Sequence, residues 1–135
     1  MSPYEKPRPV IDMASQPFWD AAKRHELIAQ KCKRCGHKVF QPNTVCTKCL
    51  SPDLGWMKLS GKGKVWSFVV FHQKYYSGFA NDIPYNVAVV ETEEGYKMIT
   101  NLMGIKNEEI KIGMPVEVAF EDVADDLTLI KFRPI

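Results

Sequence analysis

The chain has 135 residues, of which 45% are hydrophobic and 25% charged, and its formal net charge is +2. This length fits one domain or two small modules, and the composition is that of a globular protein with enough apolar mass for a core. Eighteen basic residues against sixteen acidic ones do not form the basic surplus expected when nucleic acid is the main partner. The longest apolar runs are strand-sized and too short to cross a bilayer.

The N-terminal segment is rich in proline and lacks a long apolar stretch. Pro3, Pro7 and Pro9 predict an extended arm over residues 1–14, and the missing h-region argues against a secretory signal. We therefore expect a cytoplasmic protein, in which thiols stay reduced and structural disulfides are rare.

A short helix is predicted after this arm, over residues 16–24. Ser15 suits the N-cap and Pro17 the first helical turn. Phe18 and Trp19 then fall on one side of the helix.

All four cysteines lie close together as two C-x-x-C pairs, Cys32/Cys35 and Cys46/Cys49. Two such knuckles direct four thiolates at one ion, the closed tetrahedral set that Zn²⁺ takes in structural sites. Two disulfides and a redox C-x-x-C are the competing interpretations, but a redox pair needs a βαβ context that the sequence lacks. Iron can take the same four ligands, and the sequence leaves that alternative open. We predict structural zinc bound by these cysteines.

The sequence around the knuckles predicts a zinc ribbon. ELIAQKC and HKVFQP flank the first knuckle as two short strands, and LSPDLGWMKLSGKGK follows as a polar, glycine-rich connection whose GKGK is the expected hinge. Residues 1–60 are therefore assigned to the helix and ribbon, and residues 61–135 to a second module. His25 and His37 are expected to be surface or packing residues, because four cysteines already complete the site.

The second module reads as five strands: KVWSFVVFH, PYNVAVVE, GYKMITNLM, MPVEVAFED and LTLIKFRP. A short helical turn in KNEEIKIG separates the third strand from the fourth. This is the chain order of an OB-fold barrel. We therefore predict a mainly β protein, with an N-terminal helix and zinc ribbon followed by a five-stranded OB-fold barrel.

The first barrel strand is apolar on both faces. Strict alternation places Val65, Val69 and Phe71 on one face, and it places Trp66, Phe68 and Val70 on the other. One face must then be covered by something beyond the barrel interior, either the N-terminal helix or a partner protein.

A search for catalytic groups finds none that the sequence brings together. No nucleophile elbow, H-E-x-x-H or P-loop is present. His72 ends the first barrel strand and is expected to be structural. The adjacent acids at 93/94, 108/109 and 125/126 fall in predicted turns, where carboxylates are usually solvated. We therefore predict that the protein is not an enzyme.

The connection between the first two barrel strands, FHQKYYSGFANDIPY, is rich in aromatic residues. In OB-folds the corresponding loop and the neighbouring sheet face commonly bind the ligand. Three roles stay open for it: packing or a protein interface, contact with an acyl-CoA, and contact with nucleic acid. The candidate contact residues are Trp66, Phe68, Phe71, Lys74, Tyr75, Tyr76, Phe79 and Tyr85.

The two knuckles are followed, in this order, by SGKGKVWSF, PYNVAVVE and KFRP. In these motifs the chain resembles the zinc-ribbon plus OB-fold family known as domain of unknown function thirty-five. The resemblance covers nearly the whole chain; VFQPN departs from the proline pair that the family usually carries there. It implies a rubredoxin-like zinc ribbon and an OB-fold without catalytic activity of its own. It also implies a place beside acyl-CoA enzymes of lipid metabolism.

The resemblance therefore favours an accessory subunit that binds acyl-CoA or acts as a scaffold. Such a subunit would bridge thiolase-type enzymes, for example acetoacetyl-CoA thiolase and hydroxymethylglutaryl-CoA synthase, and help to channel a CoA intermediate. The alternative is a single-stranded nucleic-acid-binding protein, which rests on fold analogy alone. An iron-containing electron carrier is a third hypothesis, but it leaves the barrel without a role.

Overall fold

The structure is a computed structural model that describes Tyr4 and residues 6–73 and 77–135. The helix α1 spans Gln16–Lys23, and the strands are β1 Ile28–Cys32, β2 Lys38–Val39, β3 Leu54–Lys58, β4 Lys62–Phe71, β5 Tyr85–Thr92, β6 Lys97–Thr100, β7 Pro115–Ala124 and β8 Leu127–Pro134. Two 3₁₀ turns are Ser77–Phe79 and Asn107–Glu109. No helix in the described part of the chain is long and apolar enough to span a membrane.

The predicted N-terminal helix is confirmed, and it ends one residue earlier than expected. Asp12 and Ser15 fix its start: the Ser15 N–H donates to Asp12 Oδ1 at 2.9 Å and the Asp12 N–H donates to Ser15 Oγ at 3.0 Å. The Ser15 side chain therefore stabilises the turn before the helix and does not cap the helix itself. Phe18, Ala21 and Ala22 lie on the buried side.

The ribbon strands form a three-stranded antiparallel sheet in the order β2-β1-β3. The two strands predicted beside the first knuckle are confirmed as β1 and β2. The predicted polar connection is wrong in part, because β3 arises from it and pairs along the whole of β1. Gly55 and the preceding turn residues, Ser51 to Asp53, make this strand difficult to predict from the sequence. Packing of Trp56 and Met57 against the core stabilises it.

The five strands predicted for the second module are confirmed, in the sheet order β6-β5-β4-β7-β8. The sheet curls so that a parallel bridge joins Leu102, beyond β6, to Phe132 of β8. Backbone hydrogen bonds reinforce this contact, since the Met103 N–H donates to the Phe132 oxygen at 2.8 Å. This order, with a 3₁₀ turn before β7, is that of an OB-fold.

The GKGK segment is part of the barrel, so the prediction of a hinge is wrong. Strand β4 already begins at Lys62. A Cβ on Gly63 would lie 2.5 Å from the backbone oxygen of Glu91. Gly61 has a φ of +84°, and a Cβ at this residue would lie 2.6 Å from the Val118 side chain. Glycine is needed here because neighbouring strands approach closely.

A β-bulge in β4 reverses the predicted faces of this strand. The register shifts between Val65 and Ser67, so Trp66 is an extra residue that changes the alternation. Val65 is 1% exposed and Phe68 packs against the core, whereas Trp66 and Val69 are 50% and 53% exposed. The predicted pairing of Val65 with Val69 on one face is therefore wrong.

Buried residues from both sheets form one continuous core. Its members are Phe18, Leu27, Ala29 and Leu59 from the N-terminal part and Val65, Ala88, Val90, Tyr96, Met98, Leu102, Ile110, Val116 and Phe132 from the barrel. The Tyr96 hydroxyl donates to the backbone oxygen of Gln30 at 2.7 Å and so joins the barrel to β1. The division at residue 60 stays a prediction, because the two sheets share this core.

A second contact between the two parts lies at the end of α1. His25, which has a φ of +59°, stacks on Phe120 of β7 with ring centroids 5.0 Å apart. Its Nε2 lies 3.2 Å from both carboxylate oxygens of Asp122, which also accepts a hydrogen bond from the Thr128 hydroxyl. His25 is thus a packing residue, as expected.

Replacing Tyr96 by phenylalanine tests the hydrogen bond between the two parts. Tyr96→Phe leaves the buried Gln30 oxygen without this donor, and we expect the free energy of unfolding to fall by about 1–3 kcal/mol. Tyr85→Phe is the matched control, because the Tyr85 hydroxyl makes no hydrogen bond within the described residues. Urea unfolding of both variants measures the difference. Equal stabilities would contradict the assigned role of Tyr96.

Asp122 predicts a defined pH dependence. The hydrogen bond from Thr128, followed by the contact with His25, lowers the pKa of Asp122 below its ordinary value of 3.8. A lowered pKa in the folded state gives stability that is present above the ordinary pKa and is lost as the pH falls through the folded value. We expect Asp122→Asn to be less stable than wild type at pH 7, with the difference narrowing below about pH 4. Asp125→Asn is the control, and a difference independent of pH would contradict this account.

Candidate metal centre and contact surfaces

The four cysteine sulfurs meet at one point, where they fit a zinc ion. Cys32 Sγ lies 3.6 Å from Cys49 Sγ, and Cys35 Sγ lies 3.6 Å from Cys46 Sγ. All four sulfurs are within 4.8 Å of one another. A tetrahedral site with Zn–S bonds of about 2.3 Å has sulfurs roughly 3.8 Å apart. Disulfides are excluded, because all four cysteines are free thiols at these separations.

Backbone N–H groups of both knuckles point at the sulfurs. Cys35 N–H donates to Cys32 Sγ at 3.4 Å, and Lys48 N–H donates to Cys46 Sγ at 3.3 Å. These hydrogen bonds stabilise thiolates and hence the charged ligands that zinc requires. The C-x-x-C spacing produces them, because the chain must turn back within four residues.

The pKa values of the first pair differ because each thiol has different neighbours. The Cys35 N–H, which donates to the Cys32 sulfur, is the largest influence and lowers the pKa of Cys32 to about 6. For Cys35 the His37 N–H acts in the lowering direction, but burial and the three neighbouring sulfurs prevail and raise the pKa to about 11. Four clustered thiolates repel one another, so a divalent cation is the group that this donor set fits.

The candidate contact residues of the aromatic loop do not form one site. The structure brings together Phe71, Phe79 and Tyr85: the Tyr85 ring stacks on Phe71 at 5.3 Å and on Phe79 at 5.0 Å. Phe68 points instead into the barrel, and the Trp66 ring lies on the outer sheet face, beneath Lys97 Nζ at 4.2 Å. Lys74, Tyr75 and Tyr76 lie outside the described residues.

A pocket of about 250 Å³ adjoins the aromatic stack. Lys6 from the N-terminal arm forms one wall, with its Nζ 4.9 Å from the centre of the Phe79 ring and paired with Asp82. Lys131 also lines the pocket and pairs with Glu121 at 3.2 Å. Both cations are neutralised, so the pocket favours neutral or aromatic groups over strongly anionic ones.

Sequence reasoning missed an apolar groove of about 320 Å³ between α1 and the barrel. Phe18 and Trp19 of α1 cover it, and Ile130 and Phe132 of β8 form its floor. The periodicity of α1 indicated that Phe18 and Trp19 share a side. Nothing local in the sequence indicates that β6 and β8 meet beneath them, since this contact is formed by the curl of the sheet.

The outer face of β4, β5 and β6, here called the outer sheet face, carries an exposed apolar patch. Trp66 and Val69 of β4 are 50% and 53% exposed, and Ile99 of β6 is 71% exposed. Val87 and Val89 lie between them on β5, because Val69 pairs with Val87 and Val89 pairs with Ile99. Contiguous apolar groups on a sheet face are typical of a protein interface.

The described residues contain no second candidate metal site. Among them, the four cysteines are the only set of three or more His, Cys, Asp or Glu side chains that converge on one point. His72 is exposed at the end of β4. Glu93 and Glu94 lie in a turn, as expected, but they accept hydrogen bonds from the hydroxyl and N–H of Ser60 and so stabilise the start of the barrel.

A zinc ribbon joined to an OB-fold is the class of protein that this geometry defines, and comparison with known proteins gives the family. Residues 19–55 match the model of the ChsH2 rubredoxin-like zinc ribbon domain, and residues 56–121 match that of the ChsH2 C-terminal OB-fold domain. The chain belongs to this family, which confirms the resemblance found in the sequence and structural zinc as the cofactor.

Relatives carry two kinds of name. A DUF35 domain-containing scaffold protein of Methanocaldococcus jannaschii is 36% identical over 84% of this chain and 84% of its own length. A probable enoyl-CoA hydratase alpha subunit of Thermomonospora curvata is 37% identical over 96% of this chain. The chain spans only 40% of the length of this second relative.

Solved structures agree with this assignment. A chain of an Ltp2-ChsH2(DUF35) aldolase has a TM-score of 0.84 and 37% identity, covering 94% of this chain and 98% of its own. A DUF35-family protein from Sulfolobus solfataricus has a TM-score of 0.65 at 14% identity, covering 91% and 86%, and supports the fold alone.

The metal centre predicts one zinc ion per chain. We expect Cys46→Ser to lose zinc, because a serine hydroxyl does not replace a thiolate ligand, and to unfold the ribbon at lower denaturant concentration. Elemental analysis of the purified protein measures the metal, and unfolding by guanidinium measures stability. Thr47→Ser changes a knuckle residue that is not a ligand and should keep full zinc content. Iron in place of zinc would contradict the assignment.

Proposed function

We propose that this protein is a non-catalytic accessory subunit that docks on a thiolase-type enzyme acting on acyl-CoA. Acetoacetyl-CoA thiolase and hydroxymethylglutaryl-CoA synthase are the partners expected, and the subunit would hold two such enzymes so that a CoA intermediate passes between them. The compartment is the cytoplasm, where reduced thiols keep the zinc site intact.

Three observations support this proposal. Relatives of similar length are named scaffold proteins, and other relatives are named alpha subunits of acyl-CoA hydratases. A similar chain was solved as part of an aldolase assembly.

The observation that carries the proposal is the outer sheet face. Trp66 is half exposed at the bulge of β4, and the aliphatic side chains of Val69 and Ile99 are exposed on the same sheet face. A tryptophan bordered by aliphatic residues is the kind of group that contributes most of the binding energy at protein interfaces. We therefore assign this face to the enzyme partner.

The aromatic stack is proposed as the second contact region. Phe71 and Tyr85 continue the outer sheet face toward the pocket beside Phe79, because Phe71 and Tyr85 are paired across β4 and β5. An acyl-CoA that extends from the partner's active site would meet these rings. The aromatic stack suits an adenine or the amide-rich pantetheine arm better than free phosphate, because Lys6 is already paired with Asp82.

Affinity capture tests the proposal. The tagged full chain, incubated with lysate of its native host, should retain a thiolase-type enzyme in stoichiometric amount. Trp66→Ala should reduce the retained enzyme at least about tenfold, the loss typical of one interface hot spot. Ile112→Ala is the control, because it removes an apolar side chain that is 69% exposed and lies outside the outer sheet face. It should leave the amount of retained enzyme unchanged. Capture of nucleic acid that is lost steeply as salt rises, with no enzyme, would overturn the proposal.

A further inference from the structure

One residue of the zinc ribbon has a conformation that its side chain makes unfavourable. Leu50 has a φ of +65°, in the left-handed region that favours glycine. The two knuckles have equivalent backbone hydrogen bonds at this position. The Gly36 N–H donates to the Cys32 oxygen at 3.0 Å, and the Leu50 N–H donates to the Cys46 oxygen at 2.9 Å. The first knuckle has glycine at this position, and the second has leucine.

The folded chain gains little from this leucine. Its side chain is 71% exposed, so it buries little apolar surface to offset the strained backbone. A residue that is costly in conformation and exposed in the free protein is expected to act in contact with something else. The ribbon fold requires the positive φ at position 50, but not the side chain.

The surroundings of Leu50 are basic. Residues 16–60 contain eight basic and three acidic residues, whereas residues 61–135 contain eight basic and eleven acidic ones. Lys33, Arg34 and Lys48 belong to the two C-x-x-C turns that meet at the sulfurs, and all three are exposed. Lys33 Nζ lies 3.9 Å from Asp53 Oδ1, a long contact between two exposed groups that a partner carboxylate can replace. A zinc ion with four thiolates carries a formal charge of −2, which leaves the ribbon positive.

We propose that the tip of the ribbon, made of Leu50 with Lys33, Arg34 and Lys48, is a second docking surface. Its occupant is a partner protein that has an apolar depression bordered by carboxylates: the leucine enters the depression and the cations pair with the border. Charge complementarity selects this partner, because the exposed cations Lys33, Arg34 and Lys48 of the ribbon tip pair best with carboxylates. The inference rests on the proposed function, since it supplies a second face for an enzyme partner.

The ribbon tip and the outer sheet face belong to different sheets. Trp66 lies on β4 of the barrel, whereas Leu50 lies in the knuckle between β2 and β3. A chain with two such faces can contact two protein surfaces at once, which is the geometry that a bridging subunit needs.

Substitution of Leu50 distinguishes a role of its side chain in binding the partner from a role in folding. Leu50→Gly removes the side chain and relieves the backbone, so we expect a melting temperature equal to or above that of wild type, full zinc content, and at least tenfold weaker binding to the captured enzyme. Leu50→Ala keeps the unfavourable φ and should weaken binding equally. Ile112→Ala, on the barrel, is the exposed apolar control. Binding is measured with the purified enzyme from the capture experiment.

Charge reversal tests the cationic border. Lys33→Glu combined with Lys48→Glu should slow association and reduce its dependence on salt, whereas Lys106→Glu with Lys111→Glu on the barrel should change neither. Wild-type binding by Leu50→Gly, while Trp66→Ala fails to bind, would overturn the ribbon surface and leave the proposed function standing. Failure of the wild-type chain to capture any enzyme would overturn both. Binding of a single-stranded oligonucleotide that the charge reversal abolishes and Leu50→Gly leaves unchanged would also overturn the ribbon surface.

Discussion

Convergence of four sulfurs on one point is the constraint on which the N-terminal half of this protein depends. β2 has only two residues, and a three-stranded sheet of this size has little apolar surface to stabilise it. The first knuckle lies between β1 and β2 and the second lies between β2 and β3, so convergence of their sulfurs ties the two turns together and brings β3 back beside β1. Binding of zinc by thiolates therefore contributes directly to folding and leaves no open coordination position for chemistry.

The ribbon in turn stabilises the barrel. Helix α1 and β1 supply Phe18 and Ala29 to the shared core, where Leu27 and Leu59 also meet the barrel residues. Tyr96 and His25 add polar and aromatic contacts between the two parts at separate places. The modules thus have one common interior, and their exposed faces are held at fixed positions relative to each other. This rigidity is what a docking subunit needs, because it lowers the conformational entropy lost on binding.

The two proposed docking surfaces differ in polarity and charge. The outer sheet face is apolar and centred on Trp66, while the ribbon tip is basic and carries one exposed leucine. Neither surface brings reactive groups together. The protein therefore has features that suit contact with other proteins, and its relatives occur among scaffold proteins and subunits of acyl-CoA enzymes. Family membership and surface chemistry lead to the same class of function by independent routes.

The sequence by itself predicted the four metal ligands and the five strands of the barrel in chain order, because cysteine spacing and alternation are local properties of the chain, and the resemblance of its motifs indicated the family. Cys32, Cys35, Cys46 and Cys49 specify a tetrahedral site without further information, and alternation specifies β7. Only the tertiary structure decided which faces are exposed. The bulge at Trp66 reversed the faces of β4, and the apolar groove arose where β8 meets β6. Both features depend on contacts between residues far apart in sequence, which local patterns do not encode.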